Sequence, residues 1–330
     1  MLIEQPLFTV ATITYNSGKW VRQAIESVLS SSYTDFEYII ADDCSSDDTW
    51  EIVQQYQDSR IVAFRNEFNI REYPNRNKVL QHAKGKYILY IDGDDILYKH
   101  TLRNLAEYIS AFPTAEMIWG VLTPLNKYAV LPYLFEPVQT LQLLYDYSNY
   151  IGVIGFTETL FSVEALKREG GFSNKFAIGD IYIRKKLALT CKVLFVPIGF
   201  SYWRSTPGQA SSNLGVSYKF IIESMQIDLL ILNDSKNPLA TSEKLQLEYF
   251  VKSSFLRRTV RNVLLKGRVF SFIRLYKKVG LNLLDLFFLF KRIKPFDEII
   301  DDIAQPLMNE YNFKIFNSKN NLDNDYTNNL

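Results

Sequence analysis

Cysteine is nearly missing from this chain. Cys44 and Cys191 are the only two in 330 residues, without paired spacing and without a histidine cluster beside them. That argues against a disulfide framework or a Cys/His zinc site, and a reducing compartment fits. No run of eighteen uncharged apolar residues occurs, so no membrane span is expected. The N-terminal MLIEQPLFTV lacks a basic segment leading into an apolar one, so no signal peptide is expected. Surplus charge is absent too: 37 Lys and Arg against 36 Asp and Glu leave +1, no global field for nucleic acid. No Gly-x-Gly-x-x-Gly follows the first apolar run and no Gly-x-x-x-x-Gly-Lys-Ser/Thr occurs. A dinucleotide redox cofactor and a P-loop are therefore disfavoured. No internal repeat is found. What the chain does have is 47% hydrophobic and 15% aromatic residues, enough for a large core. Its length suggests about two domains, or one α/β domain with an appendage.

The most informative stretch is YILYIDGDDIL, residues 87–97. The run Tyr87–Ile91 is short, apolar and bounded by Gly85 and Gly93, the pattern of a strand buried on both faces of a parallel sheet. It stops at three carboxylates, Asp92, Asp94 and Asp95. Ligands of open α/β sheets sit beyond the carboxyl ends of the strands. Acids gathered there repel one another unless they share a cation, and Mg²⁺ or Mn²⁺ prefers such oxygens. The same residues also read as a solvated acidic turn, with Asp95 as N-cap of the next helix. Upstream, Leu7–Ile13 reads as a first strand, followed by a turn at Tyr15-Asn16-Ser17-Gly18 and a helix over 19–31. Phe36–Ala41 is a second strand running into Asp42-Asp43, with a helix from near Asp47; Arg60–Phe64 is a third strand and Asn75–Ala83 a helix. This alternation predicts βαβ units with right-handed crossovers. It brings Thr14-Tyr15, Asp42-Asp43 and Asp92-Gly93-Asp94 to one edge of a sheet.

Taken together, TVATITYNSGKWVRQAIESVLSSSYTDFEYIIADDCSSDDT and NRNKVLQHAKGKYILYIDGDDIL resemble the nucleotide-binding half of family 2 glycosyltransferases of the GT-A fold. The family's Thr-Tyr-Asn stands at Thr14, Tyr15 and Asn16, its Asp-Asp-x-Ser at Asp42, Asp43, Cys44 and Ser45, its Arg-Asn at Arg76 and Asn77, its Asp-x-Asp at Asp92 and Asp94. Cys44 falls where a small residue such as Gly is commoner. The resemblance implies that Asp43 accepts the N3–H of a uracil-like base and that Thr14 and Tyr15 frame the base. It implies that Asn16, Asp92 and Gly93 line the nucleotide site, that Arg76 meets a phosphate or the carboxylates, and that Asp94 ligates the metal. Read alone, Asp43 is a carboxylate at a helix start and Arg76 a surface helix residue. Arg71 and Glu72 read as solvated, with a phosphate role as the alternative.

Farther on, Leu102, Leu105, Ile109 and Phe112 mark a helix and Met117–Leu122 an edge strand; 123–150 is not assigned. A strand from Gly152 through Phe161, a helix Val163–Arg168 and a Gly170-Gly171-Phe172 turn follow. Thr157 and Glu158 face either the acceptor or solvent. In AIGDIYIRKKLAL the family places Glu-Asp with the Asp as general base; here Gly179-Asp180 keeps only the Asp. By itself Asp180 reads as a helix N-cap. After a strand Val193–Pro197, the resemblance puts Arg204 beside the leaving diphosphate, Trp203 at the acceptor pocket and a loop over 207–212. Helices are expected at Tyr218–Leu232, Glu243–Leu265 and Arg268–Ile293. Val251–Lys294 holds twelve Lys or Arg against one acid, Asp285, among many aromatic and aliphatic residues. It suits an anionic membrane surface or a packed bundle with a solvated basic face. The Asn- and Asp-rich end reads as disordered.

The expectation is an α/β protein with a GT-A, Rossmann-like, mostly parallel sheet flanked by helices and a C-terminal helical appendage. Residues 1–215 form the transferase domain, with 1–97 the nucleotide half and 98–215 the acceptor half; 216–317 are helical and 318–330 a tail. The function implied is metal-dependent (Mn²⁺ or Mg²⁺), inverting transfer of a sugar from a nucleoside-diphosphate sugar, UDP-sugar foremost, to an acceptor hydroxyl in glycan or surface-polysaccharide assembly. The acceptor is a saccharide or lipid-linked saccharide, with no nucleic-acid partner. Location is cytoplasmic, peripheral on the membrane's cytoplasmic face if residues 251–294 bind it. The alternatives are a nucleotidyltransferase, which should carry a Gly/Arg-rich loop after strand one, and an inactive nucleotide-sugar-binding protein, which the missing acid at Gly179 favours.

Overall fold

The computed structural model describes residues 5–121, 131–146, 155–206, 218–260 and 273. The nucleotide half is laid down as β1 (Phe8–Thr14), α1 (Val21–Leu29), β2 (Phe36–Asp42), α2 (Thr49–Val53), β3 (Ile61–Arg65), α3 (Glu72–His82) and β4 (Tyr87–Asp92). There follow β5 (Ile96–Leu97), α4 (Thr101–Ala111), β6 (Met117–Gly120), β7 (Tyr133–Phe135), α5 (Pro137–Asp146), β8 (Thr159–Ser162) and α6 (Val163–Arg168). The chain continues through α7 (Gly179–Leu187), β9 (Val193–Val196), β10 (Ser201–Tyr202), α8 (Tyr218–Leu232) and α9 (Thr241–Thr259).

Among the described residues eight strands form one sheet in the order β3-β2-β1-β4-β8-β6-β9-β7. β1 runs parallel to β2 and β4, β2 to β3, and β6 to β9; β8 is antiparallel to β4 and β6, and β7 to β9. The fold is the expected mostly parallel α/β sheet. Strand order turns back at β1, with β2 and β3 on one side and β4 on the other, and such a switch point opens a ligand crevice. Register brings the polar ends level: Thr14 lies opposite Asp42, and Ile13 opposite Asp92.

Side chains of successive residues point to opposite faces of a strand. Phe8 and Val10 therefore pack with α1 and α4 residues such as Val21, Ile25, Leu102 and Leu105. Ala11 and Ile13 pack on the other face, in a core that also holds Ile183 of α7, Ile227 of α8 and Val251 of α9.

Several boundaries differ from expectation. β6 is not an edge strand: all four of its residues are buried between β8 and β9. β7 and α5, from the stretch the pattern left unassigned, cover that side. α3 starts at Glu72 rather than Asn75, because Pro74 falls in the first turn, where its missing N–H costs nothing. Asp95 is not the N-cap of α4, which begins at Thr101 after β5 intervenes. α8 has the expected bounds, and α9 is described to Thr259. The loop 207–212 and nearly all of the basic segment beyond 260 lie outside the described residues, as do residues 152–154.

Gly85 fixes how closely α3's end approaches β1. A Cβ there would stand 2.3 Å from the Thr9 nitrogen and 2.6 Å from the Phe8 carbonyl carbon. Gly85→Ala is expected to destabilise by about 1–3 kcal/mol, the range for overpacking. Thermal melting reads this, and an unchanged melting temperature would show that the strands can yield.

Candidate active site

At the nucleotide end, Asp42 and Asp43 divide the work. Asp42 is fully buried and accepts the Ser45 N–H at 3.0 Å and the Ser45 hydroxyl; Arg65 Nε lies 3.3 Å away. Burial raises its pKa, with Ser45 and Arg65 opposing. Asp43 accepts Asn66 Nδ2 at 2.8 Å and the Ile70 N–H at 2.9 Å on Oδ1, and the Arg71 N–H at 2.8 Å on Oδ2. It does not serve the start of α2, where Asp47 Oδ1 accepts the Thr49 N–H at 3.1 Å; its bond from Arg71 places it at the start of α3 instead. Asn16, Cys44 and Arg71 have φ of 51°, 63° and 73°. The value at Cys44 explains why Gly is commoner there: only Gly enters this region without steric cost. Asn16 ties the β1 and β2 loops together, its Oδ1 accepting the Ser46 N–H at 2.8 Å and its own N–H reaching Ser45 Oγ at 2.9 Å. Thr14 Oγ1 is buried without a hydrogen-bond partner, and a Cβ at Gly93 would come within 2.7 Å of it. Tyr15 is half exposed.

The acidic end is organised by Arg76. Its Nη2 donates to Asp92 at 2.8 Å and to Glu72 at 3.0 Å, and the guanidinium lies 4.1 Å from the centre of the Phe156 ring. It is buried, not a surface residue. Burial works against its charge, but Asp92 and Glu72 outweigh that and raise its pKa. Glu72 is not simply solvated either: although its side chain is half exposed, desolvation raises its pKa, Arg76 opposes, and Asp92 and Asp180 add to the rise. Asp94 accepts the Thr206 hydroxyl at 2.9 Å, and burial raises its pKa. Asp95 accepts the Arg204 N–H at 2.8 Å, leaving Oδ2 buried without a partner. Burial, then the Asp92 charge, pushes its pKa up to about 8.

The segment carrying Arg204 is held by pairing. Ser201 and Tyr202 pair with Leu97 and Ile96 across β10 and β5. Arg204 Nε donates to the Asp94 carbonyl at 2.8 Å and Nη2 to Gln23 at 2.7 Å, with the guanidinium 4.2 Å from the Trp20 ring centre. Thr157 and Glu158, expected to face acceptor or solvent, are both buried. Glu158 accepts the N–H groups of Phe200 and Ser201 at 2.6 and 3.1 Å, so its carboxylate braces β10. Trp203 and Tyr202 are each about half exposed, at 53% and 50%.

Asp180 sits in the first turn of α7, its Oδ1 3.4 Å from the Tyr73 hydroxyl and its Oδ2 3.6 Å from Arg184 Nη2. The N-cap position is Ile178, so Asp180 is not the cap. Sequence reasoning missed Tyr73 and Thr206, read Glu72 as solvated despite its i,i+4 spacing to Arg76, and singled out Asp95 only as one of three clustered acids or an N-cap. Among the described residues no three His, Cys, Asp or Glu side chains gather as a metal cluster. The Asp92–Asp94 pair suits a hard cation that takes one or two carboxylates and completes its shell with phosphate and water.

The acids and the loop-borne Arg204 thus gather beyond the carboxyl ends of a mostly parallel α/β sheet of the GT-A type. Staphylococcus aureus TarS 1-349, solved with UDP-GlcNAc, matches with a TM-score of 0.59 at 21% identity, covering 77% of this chain and 72% of that one. The mannosyltransferase PcManGT of Pyrobaculum calidifontis, solved with GDP-Man and Mn²⁺, matches at 0.59 and 17%, covering 94% and 88%. At these identities the likeness is one of fold. The sequence model of glycosyl transferase family 2 matches residues 9–123, about a third of the chain. A relative, the UDP-Glc:alpha-D-GlcNAc-diphosphoundecaprenol beta-1,3-glucosyltransferase WfaP of Escherichia coli, is 39% identical over 89 residues, 27% of this chain and 36% of the relative. The poly(ribitol-phosphate) beta-N-acetylglucosaminyltransferase TarS of Staphylococcus aureus is 33% identical over 106 residues, 31% and 18% of the two chains. The chain spans about half, or less, of the length of the curated relatives it matches.

The pKa of Asp95 has a consequence for stability in EDTA. Its folded value, about 8, stands above the ordinary carboxylate value of about 4. The folded state then holds a proton that the unfolded state has lost, so stability falls as pH rises through that window. Asp95→Asn keeps the oxygen that accepts the Arg204 N–H and removes the ionisation. Between pH 5 and pH 8 the variant's melting temperature should fall less than that of the wild type by at least about 2 °C. Equal falls would show that Asp95 ionises without strain.

Proposed function

We propose that this chain is a metal-dependent, inverting glycosyltransferase that moves a sugar from a nucleoside-diphosphate sugar, UDP-sugar foremost, to an acceptor hydroxyl. The observation that carries this reading is α3: from one helix, Arg76 grips Asp92 at the metal end and Tyr73 touches Asp180 at the acceptor end. Donor carboxylates and candidate base thus belong to one constellation.

In this reading Asp43, with Thr14 and Tyr15, reads the base. Asp43 Oδ2 accepts one bond, from the Arg71 N–H, and keeps a lone pair for the base; the Thr14 hydroxyl, buried without a hydrogen-bond partner, lies at the end of β1 against Gly93. Asn16 and Gly93 shape the floor of the nucleotide site. Asp94, with Asp92 in support, would hold Mn²⁺ or Mg²⁺, which supplies positive charge against the diphosphate. Arg204, fixed beside Asp94, adds positive charge on the leaving-group side. Asp180 takes the proton from the acceptor hydroxyl as the bond to the anomeric carbon forms. Trp203 and Tyr202, both half exposed, wall the acceptor side. WfaP acts, by its name, on a diphosphoundecaprenol-linked sugar; a lipid-linked saccharide suits the basic segment 251–294 in the same way. No helix among the described residues is long and apolar enough to cross a membrane. We assign residues 1–215 to catalysis and 216–317 to the helical region that supports it.

UDP affinity, measured by calorimetry, should depend on Mn²⁺ and drop in EDTA, and Asp94→Ala should lose the metal-dependent part. Equal affinity with and without EDTA would remove the metal from the reading. A panel of UDP-, GDP- and dTDP-sugars identifies the donor class in the same experiment.

Asp180→Asn tests the base. Turnover should fall roughly 10²–10⁴-fold, the usual worth of general base catalysis, while UDP affinity stays within about twofold. Near-normal turnover would move the base away from Asp180.

A further inference from the structure

Position 179 lacks the acid that the family resemblance leads one to expect, and the structure shows what stands in its place. The Tyr73 hydroxyl accepts the Gly179 N–H at 2.7 Å, lies 3.4 Å from the Asp180 nitrogen, and donates to the Ala177 carbonyl at 3.0 Å. The N-cap residue of α7, Ile178, offers no capping side chain of its own. A helix leaves its first N–H groups without intrahelical partners. Here a hydroxyl from a different helix meets the first of them.

The ring makes the arrangement exclusive. Tyr73 is buried and stacks on Phe172, centroids 6.2 Å apart and planes 9° from parallel. A Cβ at Gly179 would stand 2.9 Å from Tyr73 Cε2 and 2.7 Å from the Ser173 carbonyl oxygen. A side chain at 179 would therefore collide with both the Ser173 backbone carbonyl and the Tyr73 ring. One turn along α3, Arg76 holds Asp92, and the adjacent Asn77 clamps Phe172 through both its N–H and its carbonyl, at 2.7 and 2.8 Å.

We infer that Tyr73 is the positioning residue for Asp180, its hydroxyl and ring replacing the side chain absent from Gly179; this rests on reading Asp180 as the base. Tyr73 and Arg76 lie three residues apart on one face of α3, so a single helix sets the spacing between the base and the donor carboxylates. Burial, then Asp180 and Glu72 nearby, raises the Tyr73 pKa, so the hydroxyl keeps its proton and the contact is indifferent to pH.

The test uses Tyr73→Phe in the full chain, which removes the hydroxyl and keeps the ring. Two readouts are taken with Mn²⁺: amide hydrogen exchange at residues 179–181, and steady-state hydrolysis of the UDP-sugar that binds in the donor panel. Exchange at 179–181 should quicken about tenfold, and kcat should fall at least about tenfold with the donor KM within about twofold. Unchanged exchange in Tyr73→Phe overturns the inference. So does faster exchange with wild-type kcat, since the cap would then be structural only. If Asp180→Asn leaves turnover intact, the base reading fails by that result, and positioning of a base fails with it; the exchange comparison still reports whether Tyr73 caps α7.

Discussion

Everything in the candidate site is referred to one buried cation. Arg76 sits under the acidic loop with Asp92 on one side and Glu72 on the other, its flat face over Phe156. A buried ion pair is poor evidence of stability, because desolvating both partners offsets most of their attraction; removing one partner is costly, about 3–5 kcal/mol, since a bare charge remains. What such a pair does secure is geometry. Arg's planar fork fixes direction as well as distance, and Tyr90, whose ring lies 5.4 Å from the guanidinium, also donates its hydroxyl to the Arg76 carbonyl at 3.2 Å. The end of β4 is thereby locked to α3, and the first acid of the Asp-x-Asp pair cannot drift from the helix whose Tyr73 reaches Asp180.

The loops around this cation are strained in a consistent way. Three non-glycine residues with positive φ, at 16, 44 and 71, follow β1, β2 and β3 in turn. Each such residue costs of order 1 kcal/mol or more and persists only when its surroundings over-determine it. The determinants are visible: Asn16 is fixed through Ser45 and Ser46, and Arg71 through the Asp43 carboxylate. Asp43 thus holds open the pocket whose base it is proposed to read, so removing its carboxylate disturbs shape and recognition together.

What the sequence made legible follows the physics of burial and local spacing. β1, β2 and β4 announced themselves because strands buried on both faces are continuous apolar runs, and their carboxylate endings marked the crevice. α6 and α8 carried their own periodicity and start where expected. β6 was misplaced to an edge because interior position depends on β8 and β9, which come later in the chain and leave no trace in its four residues. Glu158 looked like a solvent-facing acid because its three donors, from Phe200 and Ser201, lie more than forty positions away. Tyr73 gave no sign at all: its meaning arises only where it meets Gly179, from another helix. Contacts of that reach are settled by packing, and a one-dimensional pattern does not encode them locally.

Among the described residues two helices, α8 and α9, follow residue 217, and by chain order they look separable from the sheet. The packing says otherwise. Ile222, Met225 and Ile227 of α8, with Leu247, Val251 and Phe255 of α9, belong to the same core as Ile183 and Leu187 of the helix carrying Asp180. Glu223 accepts the Ala177 N–H at 2.8 Å, two residues before that helix begins, and Asp228 pairs with Lys185. A chain severed at 217 would open this core to water and release the backbone that leads into α7, so the sheet has no clean lower edge at which to be cut.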